Sequence, residues 1–200
     1  MAGRRILVIL GHPSADSFCA ALADTYADGA RAAGAEVSVL RLGELDFDPI
    51  LRHGYASRQA LEPDLEAARA AILAAEHVVF VYPIWWGSVP ALLKGFLDRC
   101  FLPGFAFAYR DARQNLPDKL LKGRSGRLIV TLDTPGWFNW LVYGAPGHRM
   151  MTQTVLKFCG IGPVRRTVCA PLRNSSPAGR ARFLAKAAAA GRADGGVSAR

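Results

Sequence analysis

Three short stretches of the 200-residue chain carry side chains suited to chemistry. In GHPSADSF, Ser17 can cap a helix and leave the backbone N–H groups of Phe18 and Cys19 free, which attracts a phosphate. His12 and the hydroxyls of Ser14 and Ser17 add donors, provided Asp16 points away. In YPIWWGS, the backbone of Pro83, Ile84, Trp85, Trp86 and Gly87 suits the edge of a planar ring, with one indole to stack on it or wall it in. The competing reading makes both tryptophans core or subunit contacts. In DTPGWFNWLVYGAPGHR, Thr134, Pro135 and Gly136 turn the chain. Tyr143 and His148 are the obvious proton donors there, although His148 also reads as an ordinary residue at a helix start.

Other chemistries lack their residues. The first loop is neither G-x-G-x-x-G nor a Walker loop, and G-x-S-x-G and H-E-x-x-H are absent. Asp46 and Asp48 read as a turn with Phe47 tucked in, not as a catalytic pair. Cys19, Cys100, Cys159 and Cys169 are scattered, so reduced, buried thiols are expected and no metal site. Without an evident protein nucleophile, the chemistry falls to a bound cofactor.

The elements that must position these residues follow from periodicity. Residues 6–10, 37–40, 78–81, 128–132 and 164–168 are short apolar runs rich in β-branched residues and read as buried strands. Helical segments alternate with them. That pattern predicts an α/β fold, a flavodoxin-like three-layer sandwich with a five-stranded parallel sheet of order 2-1-3-4-5. Ligands then bind beyond the carboxyl ends of the strands, at the loops after strands 1, 3 and 4, where the three stretches fall. Loops 43–62 and 103–127 are long. One domain over residues 1–190 is expected, then a flexible basic tail over 191–200.

The formal charge is +9, and from Arg165 onward seven arginines and one lysine face only Asp194. Such a run usually solvates a surface, and with only Phe183 among it a nucleic-acid partner is not expected. No apolar run approaches the roughly 20 residues of a membrane span. The apolar run after Arg4 and Arg5 is too short for a signal peptide, so a cytoplasmic location is expected.

The stretches ILVILGHPSADSFCAAL, DFDPIL and YPIWWGSVPALLKGFLDRCFLPGFAFAY together resemble the NAD(P)H:quinone oxidoreductase (DT-diaphorase-like) family of flavodoxin-like flavoproteins, over residues 5 to about 170. The resemblance implies a flavin, NAD(P)H as co-substrate, a quinone-like small-molecule acceptor, ping-pong hydride transfer, and a homodimer with shared active sites. It implies His12, Ser17, Phe18 and Cys19 around the flavin phosphate, and Pro83, Ile84, Trp85, Trp86 and Gly87 along the isoalloxazine and ribityl. Asp133, Thr134, Pro135 and Gly136 would border the pyrimidine side. Tyr143 and His148 are the nearest equivalents of the family's catalytic tyrosine and histidine, at a different spacing. GFAFAY resembles the segment that reaches over the neighbouring subunit's flavin, which makes Phe107 and Tyr109 lid residues. The long C-terminal extension of the animal enzymes is missing, so FMN is expected, with FAD the alternative. Some relatives regulate potassium-efflux transporters, which leaves an accessory subunit with a peripheral membrane partner as the alternative function.

Overall fold

A computed structural model describes residues 3–111 and 115–196. In chain order its strands are β1 (Arg5–Leu10), β2 (Glu36–Arg41), β3 (His77–Pro83), β4 (Phe107–Ala108), β5 (Asp118–Lys119), β6 (Ser125–Thr131) and β7 (Val164–Cys169). The α-helices are α1 (Phe18–Ala32), α2 (Pro63–Ala74), α3 (Ala91–Cys100), α4 (Gly136–Leu141), α5 (Pro146–Arg149) and α6 (Pro177–Gly195), and α5 runs into a π-helix, Met150–Lys157. The main sheet has the order β2-β1-β3-β6-β7 with every pair parallel. Once the small β4–β5 hairpin is set aside, this is the expected 2-1-3-4-5 order.

The strands are continuous apolar runs because both sheet faces are covered. Leu7, Ile9, Phe80, Tyr82, Leu128 and Val130 face α2, α3 and the π-helix. Ile6, Val8, Leu10, Val79, Val81 and Ile129 face α1 and α6. Each fully buried Leu, Ile, Val or Phe stabilises the fold by about 1.5–3 kcal/mol relative to exposure.

Local chemistry sets the helix ends. The Ser17 hydroxyl accepts from Ala20 N–H at 3.2 Å and starts α1. Pro63, Asp64 and Glu66 open α2, where fixed φ and negative charge both suit the positive helix end. Beyond α1, Gly34 takes φ +90°, the left-handed conformation that stops helices. Loop 43–62 is hung on α3 by the buried Arg99, which donates to Ala60 O at 2.7 Å and pairs with Glu62 at 2.8 Å. Phe47 is tucked edge-on against Phe96.

The expectation of a flexible tail from residue 191 is corrected. Helix α6 continues to Gly195, and Gly191 packs instead of stopping it: a Cβ there would fall 2.1 Å from Tyr26 O. Gly29 makes the reciprocal approach, where a Cβ would fall 2.4 Å from Ala188 O. Small residues thus bring α1 and α6 into backbone contact. Asp194 is 1% exposed and anchors the helix end. Residues 197–200 of the expected tail lie outside the described residues.

Two elements carried no clear periodic signal. The β4–β5 hairpin lies within the long 103–127 segment. The six-residue α4 is too short to show a helical period, and its Trp137, Trp140 and Leu141 face outward.

Candidate functional site

Parallel register brings three strand ends to one edge. Leu10 of β1 pairs with Val81 of β3, and Val81 with Ile129 of β6, so the following loops emerge side by side. Between them lies a cleft lined by His12, Ser17, Phe18, Cys19, Pro83, Ile84, Trp85, Thr131, Leu132, Asp133 and Leu172.

At one end is the start of α1. Ser17 Oγ is engaged by Ala20 N–H, and Ser17 O accepts from Ala21 N–H. The N–H groups of Phe18 and Cys19 have no acceptor among the described residues, and no acid sits in the first turn of α1. Those free donors and the helix dipole make an anion cradle. His12 Nδ1 accepts Ser14 N–H at 2.9 Å, which puts the proton of the neutral ring on Nε2. Asp16 is exposed, and the Asp133 carboxylate is occupied by Arg173, through its N–H at 2.9 Å and its guanidinium at 3.6 Å.

The Cys19 thiol lies 3.4 Å from Thr131 Oγ1. Burial pushes it up to about 11, only partly opposed by the Thr131 bond, so it is a neutral wall of the cleft and not a nucleophile.

Trp85 forms the other end, edge-on to His12 with ring centroids 5.4 Å apart. It begins a two-residue hairpin in which Trp85 and Ser88 exchange backbone hydrogen bonds of 3.0 Å each way. Trp86 and Gly87 occupy the tip at φ +51° and +73°, a turn that demands positive φ at both positions. Trp86 is wholly exposed. The pair is therefore split: Trp85 lines the cleft and Trp86 stands outside it.

The other expected residues fall differently. Gly87, Thr134, Pro135 and Gly136 adjoin the cleft in sequence without lining it. His148 is 1% exposed, neither ring nitrogen has a hydrogen-bond partner among the described residues, and its ring is 6.0 Å from that of Trp140. Burial, then the Arg166 charge, lowers its pKa. Tyr143 is 58% exposed and packs edge-on to Phe138. The two expected proton donors thus have different ring partners, and neither lines the cleft. Phe107 and Tyr109 are mutually edge-on at 5.9 Å on the β4–β5 hairpin, and neither lines this chain's own cleft.

Sequence reasoning missed Thr131, Leu132 and Leu172. Thr131 and Leu132 end and follow β6, where the strand-end rule places ligands. Leu172 arrives through a bond from its N–H to Leu132 O at 3.0 Å, which no local pattern signals.

At about 180 Å³ the cleft is smaller than the roughly 300–1,000 Å³ of typical ligand pockets. Its chemistry fits a phosphate at the α1 end and the edge of a planar group toward Trp85, with the far side of that group uncovered.

A flavodoxin-like sheet with an anion cradle at its carboxyl edge defines the class. The chain belongs to the family described as flavodoxin-like fold, which matches residues 4–193. Its relatives include an uncharacterized NAD(P)H oxidoreductase of Haemophilus influenzae, 37% identical over 130 residues, 63% of each chain. NAD(P)H dehydrogenase [quinone] 1 of Rattus norvegicus is 24% identical over 92% of this chain and 75% of its own. The resemblance to the quinone-reductase branch holds in these matches. Among solved structures, a Streptococcus mutans protein superposes with a TM-score of 0.80 at 30% identity, covering 94% of this chain and 99% of that one. An FMN-dependent NADH-azoreductase of Bacillus anthracis, in complex with FMN, shares the fold at 15% identity and a TM-score of 0.73, covering 96% and 99%.

Proposed function

We propose that this protein is a flavin-dependent NAD(P)H oxidoreductase that reduces quinones or related electrophilic acceptors by two electrons. The observation that carries the reading is the cleft itself, with free helix N–H groups at one end and Trp85 at the other, on the sheet edge where this fold takes its ligands. The related proteins named for NAD(P)H, quinone and FMN support it.

FMN is the proposed cofactor. Phe18 N–H, Cys19 N–H and His12 Nε2 would hold its phosphate, while Pro83, Ile84 and Trp85 would lie along ribityl and ring. Trp86 and Gly87 would shape that wall from outside. Asp133, Thr134, Pro135 and Gly136 would border the pyrimidine edge with backbone groups. When bound, a flavin supplies hydride exchange between a reduced nicotinamide and an acceptor.

This chain's task is positioning and charge control. One shallow cleft makes NAD(P)H and the acceptor take turns, which is ping-pong kinetics. His148, kept neutral by burial, and the exposed Tyr143 are the proposed proton-handling groups. The uncovered side of the cleft, which this chain's own Phe107 and Tyr109 do not line, supports a homodimer in which each chain's hairpin covers the other's site.

Anaerobic stopped-flow mixing tests the reading. NADPH or NADH bleaches the bound flavin without acceptor, and a later pulse of benzoquinone restores the colour. Flavin that stays oxidised under excess of both nucleotides contradicts it.

A further inference from the structure

The charge in the cleft wall has the wrong sign for the cleft's chemistry. Among the described lining residues Asp133 is the one carboxylate, and none is a lysine or arginine. At the α1 end of the same cleft, the N–H groups of Phe18 and Cys19 have no acceptor among the described residues and attract anions. A bare carboxylate in that wall repels what the cradle attracts.

The loop after β7 holds this carboxylate in place. Leu132 N–H donates to Cys169 O at 3.3 Å, and Leu172 N–H donates to Leu132 O at 3.0 Å. One residue on, Arg173 N–H donates to Asp133 Oδ1 at 2.9 Å. Ser175 braces the loop by donating to Leu172 O through its N–H at 3.0 Å and its hydroxyl at 2.6 Å. The residue whose N–H fixes Asp133 also brings a cation to it: Arg173 Nε lies 3.6 Å from Asp133 Oδ2. The Asp133 and Arg173 side chains are 57% and 78% exposed, so water screens the pair and it adds little to the stability of the fold. What the pair changes is the charge of the cleft wall.

We propose that Arg173 is a positioning residue for the cleft, acting through Asp133. By masking that carboxylate it lets the site hold an anion. With a flavin bound, it keeps the negative charge of the reduced pyrimidine from meeting a bare carboxylate. The effect on a flavin rests on the function proposed above; the effect on anions does not. A planar group over the cleft displaces water from this wall, so the masking counts for more when the site is filled.

Two measurements test this on Arg173→Gln, Arg173→Lys, Asp133→Asn and the double variant Asp133→Asn with Arg173→Gln. All keep the backbone bond from Arg173, since an amide oxygen at position 133 still accepts it, and circular dichroism checks the fold. The first measurement is the affinity of flavin-free protein for inorganic phosphate, followed by the phosphorus resonance. Arg173→Gln should weaken it about three- to tenfold and Asp133→Asn strengthen it by a similar factor, both differences shrinking in salt. Arg173→Lys and the double variant should lie near the native value. The second is the midpoint potential of the flavin-loaded protein. It should fall in Arg173→Gln and rise in Asp133→Asn by about 15–30 mV, the same factors read on a two-electron couple. Opposite signs separate charge from packing. Single variants that both shift a reading in the same direction, or leave it unmoved, overturn the proposal, and so does a native chain that binds no phosphate. A protein that takes up no flavin yet shows the phosphate pattern sinks the flavin reading and still supports the masking of Asp133.

Discussion

His12 and Trp85 meet edge to face, 5.4 Å between ring centroids, although 73 positions separate them in the chain. The contact joins the loop after β1 to the loop after β3, and both residues line the cleft. Trp85→Ala should leave the fold intact, because the indole is 44% exposed and outside both core clusters. It should weaken flavin retention about tenfold, the loss of one aromatic contact of about 1 kcal/mol or slightly more. Titration of flavin-free protein with FMN, followed by fluorescence quenching, measures it. Unchanged affinity would remove Trp85 from the site.

At the opposite edge of the sheet, Asp194 accepts from Arg127 at 2.5 and 3.0 Å, from Tyr26 at 2.7 Å and from Arg165 at 3.3 Å, and meets His77 Nε2 at 3.1 Å. Burial alone would raise this carboxyl, but the bonds from His77 and Arg127 hold it well below the usual range. Asp194→Ala strands Arg127 in the interior and should cost about 3–5 kcal/mol, since a buried charge without its partner is costly. Urea unfolding reads this as a lowered midpoint at similar slope. A loss under about 1 kcal/mol would mean that α6 is not clamped there.

Acid should destabilise the fold from near neutrality. Burial lowers the pKa of His77, opposed in part by Asp194, and burial with Arg166 lowers that of His148, both from about 6.5. Below that value the unfolded chain binds protons that the folded chain refuses, so stability rises with pH across this window and falls on acidification. The Asp194 contribution has the same sign but persists until pH drops below about 3.8. Urea midpoints measured from about pH 8 down to 5 should be level first and then decline. A midpoint that climbs on acidification contradicts the buried neutral histidines.

Trp86→Asn should stabilise the isolated chain by about 1 kcal/mol. It removes a bulky side chain from the left-handed region and creates the Asn-Gly pair that such hairpins prefer. For a chain of this size the gain reads as about 2–4 °C in Tm. A fall in Tm would mean that the indole packs in the assembled protein.

The five strands were legible because parallel sheets bury both faces and leave unbroken apolar runs, as at Val78, Val79, Phe80 and Val81. The α1 start was legible because Ser17 carries its cap locally. What long-range packing decides was not. Gly191 looks like a helix stop until Tyr26 is seen against it, and Asp194 looks like a stray surface acid until four elements converge on it. Leu172 reaches the cleft only through β7's place in the sheet. The separation of Trp85 from Trp86 is set by a two-residue turn whose positive φ the residue Trp86 itself disfavours.

The measurement that bears most directly on the central claim is the mass and absorption spectrum of whatever heat releases from the purified protein, before and after reconstitution. FMN in about one equivalent per chain is predicted. A protein that releases no flavin, and takes up neither FMN nor FAD on reconstitution, contradicts the account.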